Sequence, residues 1–178
     1  RGLSDSDQAL IFENHLLQAL REQDRRATLA HLVYVNTLPP PTQIKPEPGI
    51  FIEFAPFRRR YDMPLARRDA RRAHWTRTHG EQLDLLDANL DVFGSAGAQA
   101  LEYWIDVSRF SGATKPDRRP KIPWKEKVFL ADLDTYASRG IHHITSFAVR
   151  LDGTYVKRHG EPPLAAYGRG LKQRTPGG

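Results

Sequence analysis

The stretch "ALEYWIDVS", residues 100–108, decides the fold. Glu102, Trp104 and Asp106 fall at every second position with Leu101, Tyr103, Ile105 and Val107 between them, the period of a β-strand. One face of this strand therefore carries two acids and an indole. Three other segments read as strands: "ATLAHLVYVNT" (27–37), "IFIEFAPF" (50–57) and "IHHITSFAVR" (141–150). Alternation along them places Tyr34 and Asn36, then Glu53, on the same kind of face, followed by Thr145 or, in the other register, Ser146. The opposite face is mostly Leu, Ile, Val and Phe. A slip of one residue exchanges the two faces. In an open sheet covered by helices on both sides, a central strand is apolar on both faces. Polar groups recurring near strand C-termini suit the open end of a barrel instead.

Between these strands the chain supplies returns long enough for parallel pairing. Residues 6–24 form an amphipathic helix with Ala9, Phe12, Leu16 and Leu20 near helical spacing, behind Ser4, Ser6 and Asp7 as caps. Residues 38–49, "LPPPTQIKPEPG", hold five prolines and must be an extended connection. Residues 69–93 carry Trp75, Leu83, Leu86, Leu90 and Phe93, one or two helices with Gly80 as the break. Residues 125–140 put Val128, Phe129, Leu133 and Tyr136 on one stripe and stop at Gly140, a helix terminator. A helical stretch spans 152–170, with residues 171–178 as a flexible tail. The order predicts an α/β fold with parallel strands and intervening helices.

The chain has 178 residues, 39% hydrophobic and 27% charged, which suits one globular domain. No apolar run is long enough to span a membrane and no leader is present in the chain as given, so a cytoplasmic location is favoured. Cysteine is absent, which excludes disulfides, zinc-thiolate sites and cysteine nucleophiles. The net charge of +6 is concentrated in Arg58, Arg59, Arg60, Arg67, Arg68, Arg71 and Arg72. Without a recognition helix, aromatic platform motif or zinc knuckle, this run reads as a solvated basic face more readily than a nucleic-acid site.

Glu102 and Asp106, if on one strand, lie roughly 13 Å apart at about 3.3 Å per residue. That spacing excludes direct pairing, so each must work with groups from other strands. Trp104 between them has the makings of a sugar platform, its flat face against the C–H face of a pyranose. A core tryptophan, a capping Asp106 and a Glu102 satisfied by arginine or tyrosine are the plain alternatives. Glu53 calls for an ion pair with Arg58, Arg59 or Arg60. The adjacent His142 and His143 point to opposite strand faces and cannot share a metal ion. No phosphate-cradling glycine loop, nucleophile elbow or dinucleotide fingerprint is present, so no cofactor is expected.

Three segments, "YVNTLPPPTQIKPEPGIFIEFAPFRRRYDMPL" (34–65), "ALEYWIDVS" (100–108) and "DLDTYASRGIHHITSFAV" (132–149), resemble the C-terminal half of a bacterial domain family of unknown function in the glycoside-hydrolase TIM-barrel superfamily. That family looks related to α-glucuronidases and, more distantly, β-hexosaminidases. The resemblance implies strands five to eight of a (β/α)8 barrel over residues 1–170, part of a longer chain. It implies a hydrolase acting on a carbohydrate, such as a uronic-acid or amino-sugar glycoside, and places Glu102, Arg60 and Tyr61 in the substrate cleft. The expected roles are Glu102 and Asp106 for catalysis, with Trp104, Tyr34, Asn36, Glu53, Arg59, Arg60 and Tyr61 for binding. The alternatives are a non-catalytic carbohydrate-binding or interaction domain of the same fold and a nucleic-acid-binding module. Related hydrolases often take their acid/base carboxylate from strand four. A half-barrel without it needs its N-terminal half or a second copy as partner.

Overall fold

The computed structural model describes residues 2–110 and 120–174. Its sheet has four strands, β1 (Leu29–Val33), β2 (Ile50–Phe54), β3 (Gln99–Glu102) and β4 (His143–Ser146), in the order β1-β2-β3-β4 and parallel throughout. The helices are α1 (Asp5–Gln23), α2 (His79–Phe93), α3 (Glu126–Ala137), α4 (Gly153–His159) and α5 (Leu164–Arg174). The α/β class with a parallel sheet is as the sequence predicts. Among the described residues no helix is long and apolar enough to cross a membrane.

The intervening helices α2 and α3 pack on one face of the sheet, as the right-handed crossover rule requires of sequential parallel strands. Leu10 and Leu17 of α1 pack with Ile50. Leu83 and Leu86 of α2 and Phe129, Leu133 and Tyr136 of α3 share one core with Val33, Ile52, Phe54 and Ala100. The ladder aligns Val33 with Phe54 and Ala100 with Ile144 on this covered face. Leu32, Glu53, Gln99 and His143 form the neighbouring row on the other face, which none of the described helices covers. Leu32, Phe147 and Val149 there remain 40, 41 and 42% exposed.

The register corrects the expected polar face. Glu53 stands opposite Gln99, so Glu102, like Ala100, points to the helix side, whereas Tyr34, Glu53 and Thr145 belong to the open side. The strand over 100–108 is also shorter than its alternation suggests. Beyond Glu102 the chain turns, with Asp106 N–H donating to the Tyr103 carbonyl (3.2 Å). The Asp106 carboxylate then caps a 3-10 turn at Val107–Arg109. A run with period two is compatible with such a turn because local side-chain hydrogen bonds compete with the ladder.

The helix α1 buries Ser6, Asp7, Leu10 and Leu17, while Phe12 stays 67% exposed, so the stripe through Ala9, Phe12, Leu16 and Leu20 is not the packed one. Its inner face is partly polar because it holds the proline-rich connection. Asp7 accepts from the backbone N–H groups of Thr42, Gln43 and Ile44 at 2.8–3.0 Å while closing a capping box with Ser4. Asn14 bonds both Lys45 and Glu47 backbone, and Arg21 donates to the Pro48 carbonyl. The connection 38–49 thus contains no helix, as its prolines require.

Gly80 is no break but lies in the first turn of α2, where a Cβ would sit 3.1 Å from the Arg68 carbonyl oxygen. Residues 69–78 precede the helix as a loop. The helix α3 ends where expected: Gly140 (φ 75°) donates to the Ala137 carbonyl and Ile141 to that of Tyr136, the paired bonds of a glycine-terminated helix. The C-terminal helical stretch is two helices, separated by Gly160 (φ 77°), Pro162 and Pro163. Leu171 of α5 packs on the core, so the ordered chain continues past 170, and residues 175–178 of the expected tail lie outside the described residues.

Candidate functional site

Where β2 and β3 end, five side chains meet beneath the helices. Arg59, just past β2, donates from Nη1 to Glu102 Oε1 (3.2 Å) and from Nη2 to Asp132 Oδ2 (2.5 Å). Tyr136 hydroxyl donates to Glu102 Oε1 (2.5 Å), and the Trp104 indole N–H to Asp132 Oδ2 (2.9 Å). Leu65 N–H donates to Asp132 Oδ1 (2.7 Å), and Tyr103 N–H to Glu102 Oε2 (3.3 Å). The Tyr61 ring lies 5.0 Å from the guanidinium carbon of Arg59. Arg59, Glu102 and Asp132 are all 0% exposed.

Burial pushes the Glu102 carboxyl up to about 7, with Arg59 pulling against that shift and the charge of Asp132 adding to it. For Arg59, burial alone would weaken its hold on the proton, and the charges of Asp132 and Glu102 outweigh it. A carboxyl with a raised pKa is the usual mark of a general acid. Here both oxygens of Glu102 are engaged inside the protein and none of its surface meets solvent. What the cluster does is join β2, β3 and α3. Trp104 is likewise interior, edge-on to Phe129 at 5.0 Å, with its N–H committed to Asp132.

The open face of the sheet carries an accessible candidate site. Four rings cross its C-terminal end from β1 to β4. Tyr34 meets Phe57 edge-on (5.6 Å), Phe57 meets Tyr103 edge-on (5.2 Å), and Tyr103 stacks on Phe147 (5.2 Å, 16°). They border a hollow of about 340 Å³ whose wall includes Asp106 and whose mouth is flanked by Leu32 and Val149. Asp106 Oδ1 accepts from the Ser108 N–H and hydroxyl (2.9 and 2.6 Å), and its Oδ2 accepts nothing from the described residues. Clefts outside the carboxyl ends of parallel strands are where α/β sheets bind ligands.

The residues expected at the site therefore divide. Tyr34 and Asp106 meet at the cleft, while Arg59, Tyr61, Glu102 and Trp104 meet in the buried cluster. Glu53 is on the open face, partly buried, and forms no ion pair with Arg58, Arg59 or Arg60. Asn36 is exposed in the turn after β1. Arg60 is held by Asp62 at 2.9 and 2.5 Å, and the Tyr61 hydroxyl donates to the Phe57 carbonyl (3.2 Å).

The arginine run is not one solvated face. Arg59 is interior, Arg60, Arg67 and Arg68 pair with Asp62, Asp69 and Asp84, and Arg58 lies over the Trp75 ring. Among the described residues no group of three or more histidine or acidic side chains is placed to hold a metal ion.

Sequence reasoning missed Asp132, Tyr136, Phe57, Tyr103 and Phe147. Asp132 was findable as a carboxylate within the apolar stripe Val128, Phe129, Leu133, Tyr136, where an acid needs a buried partner. Tyr103 follows from alternation in the opposite register, and Phe147 from the same alternation as Thr145. Compared with known proteins, the chain matches no family model, no curated protein and no solved structure.

Proposed function

We propose that the chain is half of a (β/α)8-type barrel that binds carbohydrate in the cleft at its strand C-termini. The row Tyr34, Phe57, Tyr103, Phe147 with Asp106 in the wall carries this reading. Pyranose rings offer an apolar C–H face that packs on aromatic surfaces, and their hydroxyls donate to carboxylates. The half-barrel part is supported by the sequential parallel order with the intervening helices on one side and by the exposed apolar open face. The resemblance to glycoside-hydrolase barrels points the same way. In this reading further strands pair along β1 and β4 and enclose the open face.

Binding is favoured over hydrolysis for this chain because, among the described residues, Asp106 is the one carboxylate bordering the cleft. Glycoside hydrolysis uses two, about 5–9.5 Å apart. Hydrolysis would take its second carboxylate from the strands that complete the barrel.

The test is calorimetric titration with xylo-, cello- and chito-oligosaccharides. At least one series is expected to bind. Phe147→Ala, which removes an exposed ring, is expected to weaken that binding about fivefold, the loss of on the order of 1 kcal/mol in ring contact. Unchanged affinity in the variant, or no binding of any series by the unaltered chain, would refute the reading.

A further inference from the structure

Beside the aromatic cleft lies a second hollow, of about 230 Å³, with Arg60, Tyr61, Asp62, Arg72, Arg109 and Phe110 among its walls. Its charges are not balanced. Arg59, which also borders it, is spent on Glu102 and Asp132, and both carboxylate oxygens of Asp62 are spent on Arg60. Arg72 and Arg109 have no carboxylate within 4.0 Å among the described residues.

Arg109 stands between the two hollows. Its guanidinium carbon is 3.5 Å above the Phe57 ring and 5.9 Å from that of Tyr103, both walls of the aromatic cleft. Its Nη2 donates to the Phe57 carbonyl (2.9 Å), which fixes the fork, and its buried Nε has no partner among the described residues. Arg72 is partly buried, and its pKa is lowered by burial first and then by the positive charge of Arg109. Two guanidiniums thus line one small hollow. A planar fork fixed by stacking and one hydrogen bond is suited to an oxyanion.

We infer that this hollow receives an oxyanion, a carboxylate or a sulfate, carried by a ligand whose ring body lies in the adjoining aromatic cleft. The ligand is then an acidic rather than a neutral saccharide. The ring-body part rests on the carbohydrate reading above; the anion part rests on Arg72 and Arg109 alone.

The test titrates the chain with galacto-oligosaccharides of equal length in neutral, uronate and sulfated forms, and separately with sodium sulfate. Either charged form is expected to bind about tenfold or more tightly than the neutral one, the worth of a charge-assisted hydrogen bond. Which of the two gains more distinguishes carboxylate from sulfate. Arg72→Gln, at a partly exposed position, is expected to reduce the charged ligand's affinity to that of the neutral one with the melting temperature unchanged. Arg109→Gln should do the same. Equal affinity for charged and neutral forms, or a charged preference that survives Arg72→Gln, would overturn the inference. Sulfate binding that is lost in Arg72→Gln, without binding of any saccharide, would uphold the anion site and refute the carbohydrate reading. Neutral-saccharide binding without any effect of charge would do the reverse.

Discussion

Replacing Arg59 with methionine is expected to lower the unfolding free energy by about 3–5 kcal/mol, because removing one member of a buried ionic group leaves the others unpaired. Glu102 and Asp132 would face each other without the cation that lies between them, both 0% exposed. Against a total stability of roughly 5–15 kcal/mol for an ordinary domain, the variant loses a large share of its margin. Replacing Arg59, Glu102 and Asp132 together with apolar side chains of similar volume is expected to cost far less, since no unpaired charge remains. Urea denaturation of the single and triple variants decides the point. A single variant within 1 kcal/mol of the parent, on the order of a surface pair, would contradict the buried cluster as the joint between β2, β3 and α3.

Stability is also expected to fall as pH rises from about 4.5 to about 7. Burial pushes the Glu102 carboxyl up to about 7 from an ordinary 4.5, with Arg59 opposing the shift. A folded state that holds its proton more tightly than the unfolded chain is favoured below the ordinary value and loses that advantage through the folded one. The loss is on the order of 3 kcal/mol across this window. His79 acts in the opposite sense. Burial lowers its pKa from 6.5, so its contribution is lost as pH falls below that value. The Asp7 carboxyl, lowered chiefly by its bond from Ser4, likewise loses its contribution only in more acidic solution.

The Glu102 contribution is therefore isolated as a difference between proteins. Glu102→Gln is expected to be as stable as the parent near pH 4.5 and increasingly more stable than it up to about 7, with the Tyr136 and Arg59 contacts preserved by the amide oxygen. Chemical denaturation at a series of pH values measures the difference. A parent and variant that run parallel across the window would exclude a titrating Glu102.

What could be read from the sequence divides along physical lines. Gly140, the five prolines of 38–49 and the apolar stripe of α3 act through local geometry, and the structure places each where the sequence does. The parallel sheet follows from the long returns. The face of each strand depends on pairing register, and there the sequence misleads: Glu102 turns inward because Glu53 aligns with Gln99, and Trp104, in the turn beyond the strand, is held inside by Asp132. The alternation through Asp106 extends past the end of β3, since nothing in the pattern separates a strand from a capped turn. Asn14 and Arg21, and the docking role of the capping Asp7, are hidden for another reason. A hydrophobic stripe counts apolar residues, whereas this helix is docked in part by polar ones.

Glu102 illustrates why composition alone misassigns a site. Its setting raises its pKa as a catalytic acid requires, yet that same burial denies it to any ligand. The cleft on the other face is marked by aromatic rings and one acid. Tyr34 and Asp106 are expected at a site from the sequence, whereas Phe57, Tyr103 and Phe147 read as core there because β-strand aromatics usually are.

The most direct test of the cleft as the ligand site is backbone amide mapping by nuclear magnetic resonance while oligosaccharide is titrated into the isotopically labelled chain. The expected result is that shifts concentrate at Tyr34, Phe57, Tyr103, Asp106 and Phe147, with the amides of Asp132 and Tyr136 in α3 unmoved. Shifts centred on Arg59, Glu102 and Trp104, or none at all at saturating saccharide, would contradict it.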